Sequence, residues 1–137
     1  MAKIKRWIEV SFQKEGMHKY PAALEDPKLA DVSFLGYPHR HIFHFYVQLE
    51  VFHNDRDVEF ILFKRELENL FRQGTMQCDY KSCEMLAEDL IEYVSAKYVG
   101  RDMTVKVYED DENGAILEFD RNMAPSVYFT VDKDDLK

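Results

Sequence analysis

Apolar and polar residues alternate over two long stretches of this chain. In residues 3–13, Ile4, Ile8, Val10 and Phe12 share one parity, which predicts a half-buried strand. Over residues 39–53 the alternation is unbroken. His41, Phe43, Phe45, Val47, Leu49 and Val51 take one face, and Ile42, His44, Tyr46, Gln48, Glu50 and Phe52 take the other. Between them, 19–38 is polar and holds Pro21, Pro27 and Pro38. It reads as a long excursion loop, of a length that compact domains keep mainly for function. Asn54-Asp55 marks a turn, and 57–60 fits either a short strand or the entry to a helix. Residues 61–72 then change to helical spacing, with Ile61, Leu62, Leu67, Leu70 and Phe71 on the apolar side and Gly74 as terminator. A second helix is predicted over 82–98, capped by Asp79 or Ser82 and closed by Gly100, with Leu86, Leu90, Tyr93 and Val94 inward. Residues 103–109 and 115–120 form a predicted hairpin over the turn Asp110-Asp111-Glu112-Asn113-Gly114, in which Asn-Gly is a strong turn signal. A further strand-like run, 127–131, precedes an acidic end.

The predicted order is strand, strand, helix, helix, strand, strand. It describes an α+β domain, with a four-stranded antiparallel sheet and both helices on one face. At 137 residues the chain reads as one domain, 1–137, with a core over about 3–120, the 19–38 loop, and an extension over 121–137. A domain of this size buries about two-thirds of its unfolded surface and needs no metal or disulfide merely to fold. The formal charge of −8 argues against nucleic acid, because phosphate contact needs a basic surface. No stretch approaches the roughly 20 apolar residues of a membrane helix. The first residues lead into a strand rather than an apolar signal core. Cys78 and Cys83, the only cysteines, are expected as reduced thiols, and the protein as cytoplasmic.

The candidate chemistry lies in three of the five histidines. His39 and His41 are two apart in a strand and so point to the same side. His18 follows the first strand. A third imidazole from the end of a neighbouring strand would complete a three-nitrogen site, which suits Zn2+ with a fourth position open to water or a substrate oxygen. The plainer alternative is two ordinary strand histidines and a loop histidine. His44 faces the other side and His53 lies at the far end, so both are expected as surface or core residues. Arg40, between the pair, either binds an anionic substrate or points to solvent.

These residues and their order resemble the tunnelling-fold family of 6-pyruvoyltetrahydropterin and 6-carboxytetrahydropterin synthases. The resemblance covers about 8–119. It rests on a first strand ending in His18, on His39-Arg40-His41 where the family has His-Gly-His, and on Val58-Glu59-Phe60-Ile61-Leu62-Phe63-Lys64 at the first helix. It rests also on Ser82-Cys83-Glu84-Met85-Leu86-Ala87 and on Val107-Tyr108-Glu109. The resemblance implies zinc on His18, His39 and His41, with Glu109 anchoring a pterin or purine-like ring through a bidentate carboxylate pairing. It implies Ser82 and Cys83 in the ring pocket, and homo-oligomers, trimers or hexamers, whose sheets join into a barrel. Two family features are missing: a cysteine just before the H-x-H, and an Asp-His pair between the helices. The acid/base candidates left are Asp79, Tyr80, Cys83 and Glu15. Glu84 reads as a helix first-turn acid. Two function classes follow. One is a zinc-dependent lyase acting by elimination, isomerisation or retro-aldol cleavage on a pterin or purine-type nucleotide. The other is a non-enzymatic binder that sequesters or senses the same ligand.

Overall fold

The computed structural model describes residues 3–71 and 74–122; the 127–131 strand prediction, and most of the 121–137 extension, lie outside them. The described chain is α+β. Five strands, β1 (Arg6–His18), β2 (His39–Val51), β3 (Met76–Asp79), β4 (Met103–Glu109) and β5 (Asn113–Phe119), form one sheet in the order β3-β1-β2-β4-β5. Helices α1 (Phe60–Glu68) and α2 (Cys83–Lys97) complete the fold.

The alternating parity of β2 builds the core. Phe43, Phe45, Val47 and Leu49 are fully buried, and the register sets them beside Val10 and Phe12 of β1 and Val105 and Val107 of β4. Leu86, Leu90, Ile91 and Val94 of α2 and Phe63 and Leu67 of α1 pack in the same cluster. Each large apolar side chain so buried contributes roughly 1.5–3 kcal/mol relative to exposure. Ser82 caps α2 by accepting from the Met85 N–H at 3.2 Å. Gly100, at φ 78°, takes the left-handed conformation after the helix, as expected of a terminator.

Several expectations need correction. The sheet has five strands, not four, and is not wholly antiparallel. β3 pairs parallel to β1 at Gly16–His18 in a stretch expected to be loop. It is only four residues long, with Met76 and Cys78 buried and Gln77 and Asp79 exposed, too short for a periodic signal. The 19–38 stretch is not irregular: it carries 3-10 helices at Pro21–Leu24 and Pro27–Gly36, the latter broken at Val32. Ile61 and Leu62 are exposed, at 52% and 64%, while Phe63 and Leu67 face inward. The apolar run Phe60-Ile61-Leu62-Phe63 offers no polar residue to mark the helix face, and tertiary contact with the sheet selects it. The hairpin turn falls within the expected stretch, on Asp110-Asp111-Glu112, while Asn113 and Gly114 already belong to β5. Gly114 is needed for closeness rather than for turning: a Cβ there would lie 2.0 Å from the Val107 carbonyl oxygen.

Candidate metal centre

β1 continues past its apolar stretch to His18, so that His18 lies directly opposite His39 in the β1–β2 ladder. His41 follows on the same face, and its cross-strand partner is Gly16, which puts no side chain between the rings. The three imidazoles converge, with ring centroids 4.5, 4.9 and 5.3 Å apart. One nitrogen from each lies within 4.8 Å of the others.

Each ring is oriented from behind. His18 Nδ1 lies 2.8 Å from the Lys81 carbonyl oxygen, and His39 Nδ1 lies 2.8 Å from that of Tyr37. His41 Nδ1 lies 2.6 Å from Asp110 Oδ2. All three partners only accept, so each Nδ1 carries the proton and donates it, which leaves every neutral ring with its lone pair on Nε2. His18 Nε2 and His41 Nε2 are buried and have no hydrogen-bond partner among the described residues. Buried polar atoms without partners are costly in a folded protein unless a ligand satisfies them. Imidazoles whose outer N–H is held by a carbonyl or carboxylate are the arrangement metal ligation requires. The residues present therefore fit a divalent cation.

Glu109, last residue of β4, faces the same point. Its Oε1 lies 3.3 Å from His18 Nε2 and its Oε2 lies 3.3 Å from His41 Nε2, close enough for ion pairing but not aligned as hydrogen bonds. That carboxylate raises the pKa of His18 against the opposing effect of burial, and the Lys81 carbonyl adds to the rise. In turn His18, with smaller contributions from His41 and His39, holds Glu109 below the usual carboxylate range despite burial. Cys83 Sγ is 3.8 Å from Glu109 Oε1. Burial, with the Glu109 charge second, pushes the Cys83 thiol up to about 12. Beside the histidines a cleft of ≈ 510 Å³ opens, lined by His18, His39, Tyr80, Ser82, Cys83 and Glu109 among others.

Other predicted site residues lie elsewhere. Arg40 points to the opposite side of β2 and pairs with Glu15 at 2.9 Å, so it does not reach the histidines. The same pairing, with a bond from Thr75, occupies Glu15. Asp79 lines a neighbouring cleft and takes part in the fold through its carbonyl, which accepts the Lys19 N–H at 2.8 Å. Tyr80 reaches both clefts. Ser82 lines the site but spends its oxygen on the α2 cap. His44 faces away from the three ligand candidates, and His53 lies 3.7 Å from Asp57. Sequence reasoning missed Asp110. It sits in an acidic turn, and only the register that pairs Phe43 with Glu109 reveals that it reaches His41.

No family model and no curated protein matches this chain. A solved structure does match. An uncharacterized protein from Wolinella succinogenes superposes with a TM-score of 0.61 at 13% identity, over 86% of this chain and 100% of that one. The likeness is one of fold, an α+β architecture, and carries no residue's role across.

Proposed function

We propose that this protein is a divergent, zinc-binding relative of the pterin synthases on a tunnelling fold, acting on a pterin or purine-type nucleotide by lyase or elimination chemistry. The observation that carries the reading is the inward set of Nε2 lone pairs, two of them buried without a hydrogen-bond partner among the described residues while every Nδ1 is engaged behind. His18, His39 and His41 would hold the ion. A bound zinc supplies Lewis-acid polarisation of a carbonyl or hydroxyl oxygen on the ligand. The adjacent cleft, ≈ 510 Å³, is of the size that takes a bicyclic ring with a short side chain. Glu109, facing two of the ligand nitrogens, is placed to accept a proton from the ligand's side chain. That position favours proton transfer over the ring-anchoring role that the family resemblance implies for it. Cys83, its thiol held protonated, can only donate. The sheet edges that pair with no strand among the described residues suit assembly into a homo-oligomer, trimer or hexamer, in the cytoplasm.

The metal reading is tested by elemental analysis of the purified protein and of the His39→Ala/His41→Ala double variant. Zinc in the wild type and none in the folded double variant is the expected result. Equal metal content in both would remove the site.

A specific observation keeps a second reading, a non-enzymatic binder of the same ligands. Asp79 lies in the neighbouring cleft and Cys83 stays protonated, which leaves Glu109 as the carboxylate placed to accept a proton at the histidines. Incubation with dihydroneopterin triphosphate separates the two. Released triphosphate or acetaldehyde, lost in Glu109→Gln with zinc retained, supports the enzyme; tight binding without product supports the binder.

A further inference from the structure

We propose that Asp110 is a positioning residue that selects the metal-ready tautomer of His41. The inference rests on the reading of the three histidines as metal ligands and adds a residue outside the ligand set.

Asp110 stands just past β4, in the left-handed conformation at φ 52°, which aspartate tolerates better than most residues. Its backbone N–H donates to the Ile42 carbonyl at 2.7 Å, fixing the residue against β2. Its carboxylate then serves two donors at once. Oδ1 accepts the Ile42 N–H at 2.9 Å, and Oδ2 accepts from His41 Nδ1 at 2.6 Å. His18 and His39 have their Nδ1 protons held by backbone carbonyls, which no side-chain substitution can remove. His41 is the ligand candidate whose orientation is entrusted to a side chain.

The consequence is specific to having two acceptor atoms. An asparagine at 110 has one oxygen and one NH2 group. With the oxygen on the Ile42 N–H, the NH2 faces His41 Nδ1. Nδ1 must then accept, and the proton of the neutral ring moves to Nε2, the atom that has to face the cation. Alanine removes both contacts but forces neither tautomer, since water can serve Nδ1. A purely structural pin between the hairpin and β2 predicts the reverse order, because asparagine keeps the Ile42 bond and alanine loses it.

The test compares wild type, D110N, D110A and D111N. Asp111 bonds the Tyr46 hydroxyl at 2.7 Å and serves as the control. In metal-free, 15N-labelled protein at about pH 9, where ordinary imidazoles are neutral, long-range proton–nitrogen spectra read the tautomer. His41 is expected as Nδ1–H in wild type and Nε2–H in D110N. Zinc affinity by chelator competition should fall about 10–100-fold in D110N, the usual scale for losing an outer partner of a ligand. The loss should be smaller in D110A and absent in D111N. A D110N protein that keeps Nδ1–H on His41, or a zinc loss that is larger in D110A, would overturn the proposal. If the wild type takes up no zinc, the metal reading fails, and the tautomer spectra still decide the role of Asp110.

Discussion

At the residue scale, the same side-chain types do different work according to what lies behind them. Histidines at 18, 39 and 41 are held from outside by acceptors, whereas His44, three residues past His41 and on the other face, has no share in the cluster. Two acids near the site also part ways. Glu109 faces the imidazoles, while Glu15 is held down to about 2 by the Arg40 guanidinium and the Thr75 hydroxyl. A carboxyl with a depressed folded pKa adds stability that is complete above its unfolded value, about 4.3. That contribution is lost as the pH falls through the folded value near 2. Glu15→Gln should therefore lower stability at neutral pH, modestly because the pair is exposed, and converge with the wild type as the pH falls to about 2, which flattens the acid limb. Acid titration of both proteins by circular dichroism checks it. Cys83 offers a second prediction. Its burial and its pKa near 12 mean that iodoacetamide at neutral pH should label it only as fast as the protein opens. Rapid labelling of the native protein, located by mass spectrometry, would contradict its protonated, enclosed state.

At the element scale, β2 organises the molecule. Its odd residues form the core and its first two odd positions, His39 and His41, form the site, so packing and chemistry share one strand face. Phe45 is stacked on Phe12 at 4.8 Å between ring centroids and lies 5.0 Å from Phe71. Phe45→Ala should cost about 3–5 kcal/mol, typical of a large cavity in a closed core. Urea unfolding of the metal-free protein measures it without interference from ligand binding. Elsewhere, periodicity was a poorer guide. It marked α2 well, because Leu86, Leu90 and Val94 repeat every fourth residue. For α1 it placed Leu67 inward, as found, but also Ile61 and Leu62, where tertiary contact chose Phe63. For β3 there was too little sequence to carry any period.

At the scale of the whole molecule, the sheet formed by the described residues ends on β3 and β5. β3 covers β1 only from Gly16 to His18, so among the described residues the outer edge of β1 before that point pairs with no strand, and β5 pairs only with β4. Native mass spectrometry should give an assembly three or six times the 16.3 kDa chain mass; a monomer at micromolar concentration would remove the oligomer from the proposal. Among the described residues, no helix is long and apolar enough to cross a membrane. The alternation of residues determined by itself that β1 and β2 are strands, that His39 and His41 share a side, and that the chain is α+β, because these follow from a local period of two and from element order. The tertiary structure alone decided which nitrogens face inward, that Arg40 is tied to Glu15, and that Asp110 stands behind His41. Those facts depend on strand register and on backbone carbonyls from distant segments, which no local period encodes.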